Sequence, residues 1–358
     1  MGYELSPSSV SSRAATLGRK WADRDRKFRD WYKIIKLEDK MKEENKESFV
    51  SNSPRTFYNL AKHLLTPKYI PHKFPYEELD LQTADEAKLL AQQFERYGWK
   101  RLERLYKKGG RQSFIDRIAA HILTLGWYSV YAYVDERGLH AEVWNPAEVF
   151  PEYSHDPEEG LLEVSHIWRM PRRAAQYQMS GLGYTGLNLT QSYYNIYDYW
   201  FYDDTGTVSR ASTLAGKWYN EPQQMPQFDT IPILVGPVGG LPDEGTLDPH
   251  FMQTFGEGCV AVNEGVYTNS DRLASFLQQA VRDATEPKWL ELSQGGQILT
   301  PENFKSGGIF RGEPGDSVNS LQPPPIPVEL QQRLFDYEQK KQEGSFSPLL
   351  YGSIQFKL

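Results

Sequence analysis

Apolar residues along this chain recur first at helical and then at alternating spacing. Trp21, Phe28, Trp31, Tyr32 and Ile35 share one side of a helix in a charged N-terminal stretch. Ser53-Pro54 caps a helix expected to run through Leu65, and Tyr69-Ile70-Pro71 is extended because a residue before proline avoids the helical region. A capping box at Thr83 and Glu86 opens a helix toward Lys107, and a third covers Ser113 to Leu125 and stops at Gly126. The period then changes to two. Trp127 to Val134 reads as a strand, Asp135-Glu136-Arg137-Gly138 as its turn, and His140 to Trp144 as the strand that pairs back. Further strands are expected near Leu162 to Met170, Tyr194 to Tyr202, Thr207 to Ser209 and Lys217 to Asn220, making an α+β body.

The last hundred residues change character again. After Ile231-Pro232-Ile233-Leu234-Val235-Gly236-Pro237, helical spacing runs from about Phe251 to Asp283, and Pro287 to Pro327 reads as strands and turns. Val328 to Glu343 is helical once more. This predicts a helix pair with a small strand-containing insert at its tip, connected on one side by the stiff Pro323-Pro324-Pro325 run. If residues 257–283 form one helix it is roughly 40 Å long at about 1.5 Å per residue. Along it Val262, Val266, Leu273, Leu277, Ala280 and Val281 give an apolar side suited to neighbouring subunits, while Asn269, Arg272, Gln278, Gln279 and Arg282 are polar. In the insert Trp289, Leu290, Glu291 and Leu292 alternate as a strand, and Gly295-Gly296 turns toward Gln297-Ile298-Leu299. An edge of that kind pairs across subunits or adds a partner's strand.

Composition narrows the function classes. The chain has 358 residues with 39% apolar content, enough for a buried core, and its 40 basic against 47 acidic residues give a net charge of −7. Such a field repels phosphate, so contact with nucleic acid is expected to be loose unless locally focused. A single cysteine, Cys259, excludes an internal disulfide and a cysteine zinc site; its place in a helical pattern predicts a buried thiol and a reducing compartment. No apolar run reaches the roughly 20 residues of a membrane span, and the N-terminus lacks signal-peptide regions, so no membrane partner and a cytoplasmic setting are expected. Met1 to Ser6 fits the loose myristoylation pattern, a match common by chance.

The candidate chemical motifs favour ordinary structural readings. Gly181-Leu182-Gly183-Tyr184-Thr185-Gly186 spells a dinucleotide fingerprint, but it follows a helix and leads into a strand, the reverse of the required context. Asp204-Thr205-Gly206 spells the aspartic-protease triplet once, and its flanks make it a hairpin turn. The seven histidines show no metal-ligand spacing, Glu158-Glu159 and Asp203-Asp204 are adjacent acids that read as solvated, and no Walker phosphate loop is present. No enzyme, metal or cofactor is therefore expected. Arg19, Lys20, Arg24, Arg26, Lys27, Arg29, Lys33 and Lys36 surround the N-terminal aromatics; such a helix binds nucleic acid or an acidic partner, but docking of the aromatics on the body is the preferred reading. Lys40 to Glu47 reads as a solvated charge run. Tyr193, Tyr194, Tyr197 and Tyr199, in a chain 13% aromatic, support a rival reading as a carbohydrate- or protein-binding virion module.

In three places the chain resembles the portal proteins of tailed bacteriophages. Ile122 to Val130 followed by Trp144-Asn145-Pro146-Ala147-Glu148-Val149-Phe150-Pro151 is similar to that family's wing, Ile231-Pro232-Ile233 to the lead-in of its first stem helix, and residues 257–352 to its order of stem, clip, stem and loop. The resemblance implies an N-terminal arm over 1–52, a wing over 53–250, stem helices over 251–285 and 328–343, a clip over 286–327, and a tunnel loop with a truncated C-terminus over 344–358. It implies a homo-oligomeric ring, a dodecamer in the family, at a capsid vertex of the virion, assembled in the bacterial host cytoplasm. Partners would be the large terminase subunit, which hydrolyses the ATP, a head-tail adaptor, the major capsid or a scaffold protein, and double-stranded DNA in transit. Lys340, Lys341, Ser345, Phe346 and Ser347 would face that DNA; complementing the dipole of the second stem helix is an equally weighted role for the two lysines. Trp289, Glu291, Gln294, Arg311 and Glu313 would form the clip surface, and Val262, Val266, Leu273, Leu277 and Ala280 the stem interface between subunits.

Overall fold

A computed structural model describes residues 5–39, 48–66, 84–136, 138–154, 156, 159–184, 189–239, 256–285, 288–292, 315, 317–321 and 328–345. The expectations for 40–47, 69–71, 181–186 beyond Tyr184, 295–299 and 323–325 lie outside these residues. Helix and sheet are mixed, as an α+β chain requires. Two compact units form, one from 1–35 with 58–261 and one from 36–57 with 262–358. The arm expected over 1–52 is thus divided between them.

The first unit begins with α1 (Pro7–Lys20) and α2 (Ala22–Lys36), whose last residue falls to the second unit. Ser6 caps α1 through the amide of Ser9 in a reciprocal capping box. Trp21, Phe28, Trp31 and Ile35 are buried, while Tyr32 stays exposed. The aromatics dock on the body as preferred: Trp21 meets Trp127 edge-on at 5.3 Å between centroids. α3 (Ser53–Leu65) spans the division between the units. The single helix expected from Thr83 to Lys107 is instead α4 (Ala84–Gln93), a six-residue π-helix (Phe94–Trp99) and α5 (Lys100–Lys108).

α6 (Phe114–Leu125) starts on the Ser113 cap and stops at Gly126, whose φ of 68° is the left-handed cap that glycine provides. A side chain at Gly126 would also collide with the backbone of Glu257. β1 (Trp127–Asp135) then pairs with β2 (Gly138–Val143) and, on its other edge, with β8 (Ile233–Pro237). A second antiparallel sheet is a meander of β3 (Val149–Tyr153), β4 (Leu161–Pro171), β5 (Tyr193–Tyr202), β6 (Val208–Leu214) and β7 (Lys217–Gln224). α1 covers one face, where Arg13 pairs with Glu163 and Ser11 Oγ lies 3.0 Å from Thr213 Oγ1. On the other face α7 (Arg172–Gly181) covers one end, burying Met179 against Met170, Ile196 and Leu214.

Asp204-Thr205-Gly206 is the β5–β6 turn, with Gly206 at φ 76°. Its neighbour Asp203 closes it, accepting from the Thr205 hydroxyl, from Gln224 Nε2 and from the Thr207 and Thr205 amides, contacts that hold its carboxyl below the ordinary range. Cys259 lies in a turn rather than on a helix, its amide donating to Leu123 O at 2.7 Å, and burial pushes its thiol up to about 12.

In the second unit α8 (Glu264–Thr285), the antiparallel pair β9 (Lys288–Leu292) and β10 (Ser317–Leu321), and α9 (Val328–Glu343) follow in order.

Candidate functional site

The helix pair of the second unit holds most of the residues singled out in the sequence. α8 starts at Glu264, not near Glu257, so Val262 lies in the turn before the helix. Glycine explains the late start: Gly256 has φ 91° and Gly258 packs so closely on Thr124 O that no side chain fits. The first helical bond runs from the Tyr267 amide to Asn263 O at 2.9 Å, and Asn263 Nδ2 donates to Lys341 O at 3.2 Å, joining the start of α8 to the end of α9. At 22 residues α8 is roughly 33 Å long.

What α8 buries within its own unit is its polar line. Asn263, Tyr267, Ser270 and Ser275 are buried, and the 48–53 segment meets the helix at Asp271 and Ser275. The Phe49 amide donates to Ser275 Oγ at 2.9 Å and the Ser51 amide to Asp271 Oδ1 at 3.1 Å. Burial pushes the Asp271 carboxyl up to about 6, only partly opposed by that amide and by Lys341. Sequence reading missed Asp271 and Ser275, because their partners, Ser51 and Phe49, lie more than two hundred positions away. The apolar positions are what this arrangement leaves over. Val262 is 73% exposed, Phe276 and Val281 are exposed, and Val266, Leu273, Leu277 and Ala280 are half-buried. On α9, Val328 is exposed and Phe335 is 70% exposed.

The two lysines at the end of α9 part company. Lys340 is exposed, whereas Lys341 is 3% exposed and donates to Glu338 Oε1 at 2.7 Å. Within this chain Lys341 is therefore a buried, paired cation rather than one presented to phosphate. Ser345 is half-buried, its hydroxyl donating to Gln342 O; Phe346 and Ser347 lie outside the described residues. Trp289 and Glu291 stand on β9 opposite Ser320 and Val318, and Gln294, Arg311 and Glu313 lie outside the described residues.

The first unit carries an open cleft of about 730 Å³ that no sequence motif announced. Its lining comes from α6, from β2 and the residues that follow it, and from β4, β5 and β6, and includes Arg117, Trp144, His166, Trp168, Asp198 and Arg210. Arg210 grips Asp198 with two bonds of 2.8 and 2.9 Å and lies over Trp200. His166 stacks on Trp144 at 4.0 Å between ring centroids, and burial pulls it down to about 3, so the imidazole is neutral near pH 7. Among the described residues the lining has no hydroxyl or thiol nucleophile. The tyrosines of β5 do not form a platform. Neighbours on a strand point to opposite faces, so Tyr194 packs beneath α7 and Tyr199 is buried with its hydroxyl donating to Glu163; Tyr193 alone of the four is exposed. Among the described residues no cluster of His, Cys, Asp and Glu is placed to hold a metal, and no helix is long and apolar enough to cross a membrane.

No protein-family model matches the chain, and no curated protein matches it.

Proposed function

We propose that the chain is a portal subunit of a tailed bacteriophage: a non-enzymatic member of a ring at a capsid vertex through which the genome is packaged, retained and ejected. The observation that carries this reading is the second unit, where a helix, an antiparallel strand pair and a second helix follow one another and the helices keep large apolar side chains exposed. In a portal these helices are the stem, the strand pair belongs to the clip and the first unit is the wing. α8 uses its small polar line inside the subunit, which frees its apolar line for the next copy around a ring. A net charge of −7 suits a conduit, since duplex DNA must slide past without being held by its phosphates. Lys340, not Lys341, is then the lysine of this helix end that a ring would present to DNA. The large terminase would supply the motor and dock with the head-tail adaptors on the clip.

The test is mass by light scattering with negative-stain electron microscopy of the same sample. Rings near twelve times 41.2 kDa with a hole as wide as duplex DNA are expected. A 41.2 kDa monomer across a concentration series overturns the reading.

A further inference from the structure

The π-helix and α5 present a charged surface of the first unit. Tyr97, Arg101, Arg104, Leu105 and Lys108 follow one another at offsets of four, seven, eight and eleven, the spacing of one helical face. With Arg96 they line a groove of about 320 Å³. The opposite face carries Trp99, Leu102 and Tyr106 into the apolar cluster with Phe114, Val130 and Val143. Core packing therefore accounts for that face and leaves the groove unexplained. Tyr97 is 61% exposed and Leu105 48%, two large apolar side chains set among the cations of the groove.

The groove is cationic throughout. Among the described residues its lining includes three arginines, one lysine and no acid. None of the four is ion-paired among the described residues, and Glu95, the acid beside Arg96, is engaged by Lys100 at 3.1 Å. Arg96 lies over the Tyr97 ring at 5.4 Å, and Arg104 Nε donates to Lys100 O at 3.1 Å, so both side chains are held rather than trailing in solvent. Arg101 Nη1 is buried beside Gly138 without a hydrogen-bond partner, which fixes the stem of this side chain and leaves its other nitrogens to meet a ligand. In a chain of net charge −7 such a groove is a local reversal of sign.

We propose that this groove binds single-stranded nucleic acid, the guanidinium groups taking the phosphates and Tyr97 stacking a base. Arginine predominates over lysine, and its planar fork fits phosphate oxygens with two bonds. An exposed ring within a cationic track is the combination that holds unpaired bases, which offer a free π-face that a duplex does not. An acidic peptide would use the charges but not the ring. A lipid surface would need a broader apolar face than two side chains provide. This proposal does not rest on the portal reading.

Fluorescence anisotropy of a labelled oligonucleotide of about a dozen residues, within the usual span of single-strand sites, tests it on the full chain in whatever oligomer it adopts. Four phosphate contacts give a slope of log affinity against log salt of about −3. Arg101→Gln with Arg104→Gln should bring that slope to about −1.5. Tyr97→Ala should weaken binding about 10-fold with the slope kept, and Tyr97→Phe should bind as the parent does. Circular dichroism is expected to be unchanged for the Tyr97 variants, whose ring is exposed. Absence of binding at low salt, or equal binding by the parent and the double arginine variant, overturns the proposal. So does preference for a duplex, polyglutamate or anionic vesicles over the single strand.

Discussion

Arg24 reads in the sequence as one of eight basic residues on a charged helix, yet its side chain is only 1% exposed. Its guanidinium lies 4.6 Å from the Trp21 ring, 4.9 Å from Trp127, 5.1 Å from Phe28 and 5.6 Å from Phe150. It donates to Asp25 Oδ1 at 3.0 Å and to Val149 O at 3.1 Å, while Nη1 has no partner. Burial lowers its pKa against the pull of Asp25. Two effects oppose each other here. Desolvation makes the charge expensive, but the aromatic box and the Val149 carbonyl are shaped around it, so truncation leaves a hole and a buried orphan acceptor. Arg24→Ala is expected to cost about 3–4 kcal/mol, in the range for breaking a buried ionic contact, while Arg24→Met refills the box and costs under about 1.5 kcal/mol. Urea unfolding followed by tryptophan fluorescence measures both; an alanine variant as stable as the parent would mean the guanidinium contributes nothing net.

At the scale of elements, what the sequence reveals depends on how local the cause is. Gly126 ends α6 because only its own φ and the adjoining backbone are at stake, and the β1–β2 and β5–β6 turns are legible for the same reason. β6 was expected only over Thr207 to Ser209 but runs from Val208 to Leu214. Its Ser212 and Thr213 are fully buried yet look like loop residues, because their partners, Asn220 and Ser11, come from β7 and α1. The π-helix has no periodic signature, and the cleft is assembled from residues spread between Arg111 and Arg210. On α8 the apolar positions were visible from spacing, whereas the buried polar line depends on the distant 48–53 segment. Asp271 gives that contact a pH dependence. Its folded pKa, about 6, is above the usual carboxylate value because burial disfavours the charge, so the folded chain holds this proton more tightly than the unfolded one. Its contribution is then most favourable at low pH, declines as pH rises from about 4 to about 6, and stays unfavourable above that. Asp271→Asn keeps an oxygen for the Ser51 amide and removes the charge. It should be more stable than the parent near pH 7.5 by about 1–2 kcal/mol, a figure reduced for partial exposure, and equal to it near pH 4. Melting curves at the two pH values decide it; a constant gap would place the cause elsewhere than in this proton.

For the whole molecule, the question is whether the apolar positions of α8 belong to a neighbouring copy or merely tolerate water. Scattered exposed apolar residues are normal on any protein, so exposure alone does not choose. The two possibilities differ in how a charge would be received. On a surface open to water, Val262→Glu or Phe276→Glu shifts stability by no more than about 0.5 kcal/mol. In a ring each subunit meets two neighbours through complementary faces, so one substitution enters every interface, and each buried carboxylate without a partner costs several kcal/mol. The expected result is that both variants melt as the parent subunit does while light scattering finds them dissociated at concentrations where the parent is assembled. Lys340→Ala, at the exposed end of α9, should leave the assembled mass unchanged and serves as the contrasting substitution. If both glutamate variants still form particles of the parent's mass, α8 does not supply the subunit interface, and the ring, where one is seen, must close through other surfaces.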